Sequence, residues 1–223
     1  SVKISQNTFW GARLKAAREV TVPLAFSKCE SEHRYKNFDM AAYTLLHPNH
    51  PGLETKEWDV SKFMGFSFDD TDVYKTIEGA SYILQTYPDK KLKAYIDSVL
   101  DVVGAAQEPD GYLYTARTIN PKHPHGWSGN KRWVKDEELS HELYNLGHMV
   151  DAACAHYQAT GSTKFLNIAK RYADCVVKEV GPKPGQATIV PGHQIAEMAL
   201  ARLYTLTGEK KYLDEAKYLL DYR

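Results

Sequence analysis

The chain has 223 residues, and its 28 basic side chains balance its 28 acidic ones. Apolar residues make up 43% and charged residues 25% of the sequence, a composition typical of globular proteins. The densest basic cluster is only the segment 89–93, which reads DKKLK, and no apolar run reaches the length of a membrane span. These features argue against a nucleic-acid or membrane partner and favour a neutral small-molecule ligand.

Three cysteines, Cys29, Cys154 and Cys175, cannot all pair with one another. None of them lies in a CxxC or mixed Cys/His spacing, so the sequence predicts buried thiols rather than a disulfide framework or a structural zinc site. The chain begins SVKIS without a methionine, so we expect any leader to have been removed, and both a periplasmic or secreted and a cytoplasmic location stay open.

Apolar residues recur at helical spacing along most of the chain, which predicts an all-α fold. The N-terminal part is predicted to be helical in pieces, over 9–20 before Pro23 and again over 36–46. Farther on, 157–174 and 204–221 match over 18 positions at an offset of 47 residues, and 83–97 is a weaker copy. Each copy is predicted to be a helix, a tight turn and a second helix, so the chain contains a structural repeat.

The turns within these hairpins are short, whereas the connections between them are long. The two long connections span 107–138 and 181–192, and they are predicted to gather at one end of the helices. Such an arrangement is typical of a toroid of helical hairpins, the (α/α)6 barrel, which closes with six hairpins. Because only three hairpins are predicted here, we expect 1–223 to be the N-terminal portion of a larger barrel domain.

The first helix of each hairpin opens with polar residues on the side of the long loops. Asp72 lies 14 residues before the turn at Thr86, and His193 lies 14 residues before the turn at Thr207. His141 lies 19 residues before the hairpin turn at Thr160, about one helical turn earlier than the other two. The sequence therefore predicts that four side chains at the starts of these helices converge on one cavity. These four are Asp70, Asp72, His141 and His193.

The adjacent long connection carries several aromatic residues. We expect Trp127 above all, together with Trp133, Tyr112 and Tyr114, to provide flat rings beside the polar groups, a combination that suits a sugar. Two simpler interpretations stay open. Either aspartate alone could be a helix cap, and either histidine alone could be a structural side chain.

Residues 140–150 read SHELYNLGHMV, which raises the question of a metal site. The zinc-binding HExxH pattern is absent because position 145 is Asn. His148 follows His141 by two helical turns, about 10 Å along the axis, which is too far for a shared ion. We therefore predict no metal ligands in this chain.

Four blocks of sequence together resemble a known family. They read FDDTDVYKTIEGASYIL, AAQEPDGYLYT, SHELYNLGHMVDAACAHYQATG and PGHQIAEMALARLYTLTGEKKYL. In this order and spacing they resemble the N-terminal half of the catalytic domain in glycoside hydrolase family 127, the β-L-arabinofuranosidase family, from Phe9 to Arg223. The resemblance implies an (α/α)6 barrel followed by β-sandwich domains, and an exo-acting, retaining glycosidase that acts on terminal furanosidic sugars of plant-type glycans.

The resemblance also implies roles for individual residues. His141 and His193 match histidines that contact sugar hydroxyls in the family. Asp70 and Asp72 match a family block for which we expect only a role in the pocket wall or at the start of a helix. Ile195 departs from the family pattern, which usually has Glu there, although Glu197 matches.

The family's nucleophile is implied to be a zinc-bound cysteine thiolate in the second half of the barrel, beside a glutamate general acid. None of the three cysteines matches that motif, so we expect these 223 residues alone to be inactive. The alternative function is a non-catalytic helical-repeat module that binds glycans or a protein partner.

Overall fold

The computed structural model describes residues 4–55, 58 and 63–223. A π-helical segment, Ala17–Thr21, joins the first two helices, and a 3₁₀ turn spans Pro51–Glu54. The α-helices of the described residues are α1 (Phe9–Ala16), α2 (Val22–Ser31), α3 (Arg34–Leu46), α4 (Asp70–Thr86), α5 (Lys90–Ala105), α6 (Thr115–Thr118), α7 (Glu142–Thr160), α8 (Lys164–Glu179), α9 (Ala196–Thr207) and α10 (Lys210–Asp221). Within these ranges the only β-type pairing is an isolated bridge between Val180 and Ala187, which confirms the predicted all-α class.

Three helical hairpins form the body of the fold, namely α4 with α5, α7 with α8, and α9 with α10. Their first helices pack side by side, with α7 between α4 and α9. Helix α7 is buried around most of its circumference, whereas α8 and α10 each have one apolar and one charged face. The first helices therefore form an inner layer and the second helices an outer one, as in part of an (α/α)6 barrel. No helix in the described part of the chain has the length and apolar character to cross a membrane.

The turns of the second and third hairpins confirm the sequence repeat. Gly161 and Gly208, 47 positions apart, end α7 and α9 with φ angles of 70° and 73°. Glycine reaches this left-handed conformation without a Cβ penalty. In each turn the hydroxyl of the preceding threonine, Thr160 or Thr207, accepts a hydrogen bond from the backbone N–H two residues on.

The N-terminal helices differ from the prediction. The predicted helix over 9–20 was expected to stop before Pro23, but the chain continues through the π-helical segment into α2 and remains helical to Ser31. Pro23 is the second residue of α2 and follows directly on the π-helical segment, where the backbone hydrogen-bond pattern changes. The second predicted piece, 36–46, is confirmed as α3, which begins two residues earlier.

The connection over 107–138 is far more buried than expected. Tyr112, Tyr114 and Trp133 are 0%, 0% and 4% exposed, so the expectation that these three rings face a ligand is wrong. Their polar atoms explain this burial, because each finds an acceptor inside the protein. The Tyr112 and Tyr114 hydroxyls donate to a Glu142 carboxylate oxygen and the Ser140 carbonyl, both at 2.5 Å, and the Trp133 indole donates to Glu179 at 2.8 Å.

Candidate functional site

The two predicted histidines lie together at the loop end of the inner helices. His141 immediately precedes α7 and His193 lies in the loop before α9. The centroids of their rings are 5.0 Å apart, and the Tyr144 ring lies 5.7 Å from His141 and 5.4 Å from His193. The predicted convergence of these two histidines is therefore confirmed.

His141 has an unusual backbone conformation and a defined tautomer. Its φ and ψ of 62° and 31° lie in the left-handed region, which is uncommon for any residue with a Cβ. Its Nδ1 lies 2.5 Å from the Leu139 carbonyl oxygen, and since a carbonyl only accepts, Nδ1 must carry the hydrogen. Burial, with a smaller contribution from His193, lowers the pKa of His141. A neutral His141 then keeps Nε2 as a hydrogen-bond acceptor.

Buried carboxylates hold the turn that presents His141. Glu142 is fully buried, and burial raises its pKa. Its carboxylate accepts hydrogen bonds from three groups, the Tyr112 hydroxyl, the Ser140 hydroxyl at 2.8 Å and the Trp133 backbone N–H at 2.9 Å. Asp136 accepts from the Leu143 backbone N–H at 2.8 Å in the first turn of α7. Glu142 is therefore a structural acceptor that links α7 to the connection over 107–138.

His193 is positioned by close backbone contacts on both sides of it in the chain. A Cβ on Gly192 would lie 2.9 Å from the Glu137 carbonyl oxygen, and a Cβ on Gly147 would lie 2.6 Å from the Ile195 side chain. Both glycines thus permit approaches that a larger residue would block. The His193 side chain is exposed, and neither of its ring nitrogens has a hydrogen-bond partner among the described residues. Both nitrogens are free to contact a ligand.

Asp70 does not face the histidine pair, contrary to the predicted convergence. It is 1% exposed, and its two carboxylate oxygens accept hydrogen bonds from the Thr115 backbone N–H at 2.9 Å and the Thr115 hydroxyl at 2.6 Å. Burial raises the pKa of Asp70 to about 7, although the two hydrogen bonds act in the opposite direction. The carboxylate therefore anchors the connection over 107–138 to the start of α4.

Asp72 pairs with an arginine and makes no recorded contact with the histidines. Its carboxylate accepts a 2.9 Å ion-paired hydrogen bond from Arg34 Nε, and it lines a cavity of about 260 Å³ with residues of α2 and the turn before α3. Lys75, one turn farther along α4, lines the same cavity and also reaches the histidine cluster, because its ammonium group donates to the Tyr144 hydroxyl at 2.6 Å. The sequence did not single out Lys75.

A line of aromatic rings adjoins the histidine pair. The Phe68 ring centroid lies 5.0 Å from that of His141, the Phe66 ring stacks on Phe68 at 5.4 Å, and Trp127 stacks on Phe66 at 5.7 Å. Trp127 is half-buried, so part of its ring is accessible to a ligand. The sequence predicted Trp127 as a pocket residue but not Phe66 or Phe68, although both immediately precede the polar opening of α4.

The described residues do not fit the zinc-thiolate centre that the family resemblance implies. In the described part of the chain, Cys29 and Cys154 belong to no group of three possible metal ligands. Burial raises the pKa of all three thiols, to about 11 for Cys154 and about 12 for Cys175. Among the described residues, one group of three possible ligands comes together, Asp110, Cys175 and Glu179. The Arg132 guanidinium already bridges its carboxylates at 2.7 and 3.0 Å, so this group is a compensated ion-pair network.

Three comparisons with known proteins bear on this site. The model of the β-L-arabinofuranosidase GH127 catalytic domain matches residues 1–223. The non-reducing end β-L-arabinofuranosidase of Bifidobacterium longum subsp. longum is 42% identical over 162 residues, which cover 73% of this chain and 24% of that protein.

Two solved structures resemble the whole chain. One, described as a GH127 β-arabinofuranosidase, is 65% identical with a TM-score of 0.91. The other, a GH127 β-L-arabinofuranosidase from Geobacillus stearothermophilus T6, is 33% identical with a TM-score of 0.85. Each match covers 100% of this chain and 33% of the solved one, so the chain spans about a third of these relatives. The chain therefore belongs to the GH127 catalytic-domain family, that of the β-L-arabinofuranosidases.

Proposed function

We propose that this chain forms the substrate-binding side of an exo-acting β-L-arabinofuranosidase, in which His141 and His193 bind hydroxyl groups of the terminal sugar. The observation that carries the proposal is the pairing of the two imidazoles, 5.0 Å apart, in which His141 Nε2 and both ring nitrogens of His193 have no hydrogen-bond partner in the described part of the chain. The names of the relatives support the sugar class, since all of them are β-arabinofuranosidases.

The chemistry of the pair suits a polyhydroxyl ligand. Neutral His141 offers an acceptor at Nε2, because its Nδ1–H is held by the Leu139 carbonyl. His193 offers one donor and one acceptor in its neutral form, whichever tautomer it adopts. A sugar hydroxyl both donates and accepts, so it can complete hydrogen bonds to both rings. Tyr144, fixed by Lys75, closes one side of the space beside the rings.

We further propose that hydrolysis is retaining and uses a zinc-bound thiolate outside these residues, as the family resemblance implies. Zinc lowers the pKa of a bound thiol and so supplies a nucleophile at neutral pH. Among the described residues, Cys29 and Cys154 belong to no group of three possible metal ligands, and the carboxylates beside Cys175 are paired with Arg132. This supports a location of the nucleophile elsewhere in the protein. Within this chain, the role of the histidine pair is to bind and orient the sugar.

The proposal is tested with the full-length protein and a β-L-arabinofuranoside substrate. We expect His141→Ala and His193→Ala each to lower kcat/KM by about 5- to 150-fold, since each leaves a bound sugar hydroxyl without its partner, at a cost of about 1–3 kcal/mol. His47→Ala, which removes an exposed histidine from the end of α3, is the matched control and should retain wild-type kcat/KM. Wild-type kcat/KM in both site variants would contradict the proposal.

The non-catalytic alternative makes a different prediction for the same protein. A helical-repeat module that binds glycans would bind an arabinofuranoside without releasing L-arabinose. Binding that depends on His141 and His193 but yields no product, measured with zinc supplied, would favour that alternative.

A further inference from the structure

The aromatic rings beside the histidine pair extend away from it. His141 contacts Phe68, Phe68 contacts Phe66, and Phe66 contacts Trp127, with ring centroids 5.0, 5.4 and 5.7 Å apart. Among the described rings, Trp127 has no contact with Phe68 or His141, so the line is extended rather than folded back. We call Phe66, Phe68 and Trp127 the aromatic shelf.

The shelf is held rigidly by polar contacts beneath it. The Phe66 backbone N–H donates to the Asp69 carboxylate at 2.8 Å, and the Asp69 N–H donates to the Phe66 carbonyl at 2.9 Å. The Asp69 side chain is 4% exposed and pairs with Arg34 at 3.0 Å. The loop that carries Phe66 therefore has a fixed shape, and its ring is presented without a large loss of conformational entropy on binding.

A shared acceptor fixes the shelf relative to the histidine pair. The Leu139 carbonyl accepts from the Ser67 hydroxyl at 3.2 Å and also from His141 Nδ1. Ser67 lies between the two phenylalanines of the shelf in the sequence. Any ligand group seated on the shelf is thus held at a set position relative to the sugar bound by His141.

The shelf has the chemistry of a saccharide platform. Phe66 is 55% exposed, so a large part of its apolar ring is open to a ligand. The Trp127 indole N–H has no acceptor in the described part of the chain, so it can donate to a hydroxyl. Aromatic faces pack against the C–H faces of a sugar, while a nearby N–H binds its edge.

We propose that the aromatic shelf binds the glycan residue attached to the terminal arabinofuranose, that is, the leaving-group side of the substrate. This rests on the proposed function, in which the histidine pair holds the terminal sugar. One furanose ring at His141 would leave Phe66 and Trp127 uncovered, because these two rings lie one and two contacts beyond Phe68. A second saccharide unit covers them.

The test compares two substrates of the full-length protein, a β-L-arabinofuranosyl disaccharide and methyl β-L-arabinofuranoside, whose leaving group is too small to cover the shelf. For each enzyme we take the ratio of kcat/KM for the disaccharide to kcat/KM for the methyl glycoside. We expect Phe66→Ala and Trp127→Ala each to lower this ratio by about tenfold. Phe9→Ala, which removes a phenylalanine 63% exposed on α1, is the matched control and should leave this ratio at the wild-type value.

The possible outcomes separate this inference from the proposed function. A wild-type protein that hydrolyses neither substrate overturns both. Hydrolysis of both substrates with an unchanged ratio in the two shelf variants overturns the shelf alone. Unfolding by urea supplies a further check, because a Phe66 ring covered by another part of the protein would make Phe66→Ala strongly destabilising. That result would also overturn the shelf, whereas wild-type stability together with the lower ratio supports it.

Discussion

Asp70 is a buried carboxylate whose hydrogen bonds make it a structural residue, and its removal should act on stability. Asp70→Ala leaves the Thr115 backbone N–H and hydroxyl buried without their acceptor. We expect the free energy of unfolding to fall by about 1–3 kcal/mol, as measured by urea denaturation. Asp70→Asn should lose less, because the amide oxygen can accept from the backbone N–H while the amide nitrogen donates to the Thr115 hydroxyl.

The pH dependence of the Asp70→Asn effect provides a sharper test. The folded-state pKa of Asp70 is raised from 3.8 to about 7, so between these values the folded protein binds more protons than the unfolded chain. The contribution of this group to stability is then present at low pH and is lost as the pH rises from about 4 to 7. We therefore expect Asn to be better tolerated at pH 8 than at pH 5. An Asp70→Asn effect equal at both pH values would contradict the raised pKa.

The positions of the two histidines could be predicted from sequence, whereas the orientations of the two aspartates could not. The number of residues between each histidine and the Thr-Gly turn that ends its helix is known from the sequence. This number alone places His141 and His193 near the same end of the inner layer. The direction of Asp70 depends on Thr115, which lies 45 residues away in a connection without helical periodicity. Asp72 is turned toward Arg34, and this pairing likewise depends on how α2 and α3 pack.

At the scale of elements, Gly147 controls how closely the start of α9 approaches α7. A Cβ at this position would lie 2.6 Å from Ile195 Cγ2 and 2.8 Å from the Ala196 backbone nitrogen, so the segment with His193 would have to move. We expect Gly147→Ala to cost about 1–3 kcal/mol of stability, as overpacking does. The displacement should also weaken arabinofuranoside binding, measured as a rise in KM, by moving His193 away from His141.

Gly79 in α4 supplies a matched control. It is also a mid-helix glycine, but a Cβ there would have nothing within 4 Å among the described atoms. Gly79→Ala should therefore stabilise the protein by about 0.5–1 kcal/mol through helix propensity, with KM unchanged. If the two alanine variants behaved alike, the close approach at Gly147 would not matter for the position of His193.

The hairpins were predictable because their turns are local and carry a glycine whose conformation few other residues adopt. The continuation of the N-terminal helix through Pro23 was not, since a π-helical segment shifts the hydrogen-bond pattern just before the proline. The interior of the 107–138 connection was also missed. Tyr112, Tyr114 and Trp133 were predicted to face a ligand. Their hydroxyl and indole groups instead donate hydrogen bonds to Glu142, Ser140 and Glu179 inside the fold.

At the scale of the whole molecule, the two histidines proposed to bind the sugar and the three cysteines occupy different places in the helices. The histidines sit at the starts of α7 and α9. The three cysteines instead lie within α2, α7 and α8, all buried and with raised pKa values. Binding groups and the proposed nucleophile are thus separated along the chain. The chain spans 33% of each of the two solved relatives.

This separation predicts that the 223-residue polypeptide alone does not hydrolyse arabinofuranosides. The purified polypeptide, checked for helical structure by circular dichroism, is incubated with zinc and a β-L-arabinofuranoside, and released L-arabinose is measured. We expect release no faster than in buffer, because the one group of described residues in which a cysteine meets two further possible zinc ligands, Asp110, Cys175 and Glu179, is already ion-paired with Arg132. The full-length protein in the same assay is the positive control. Turnover by the 223 residues that survives replacement of all three cysteines by alanine would place the reacting groups in this chain without any thiol, and the zinc-thiolate proposal would then fail.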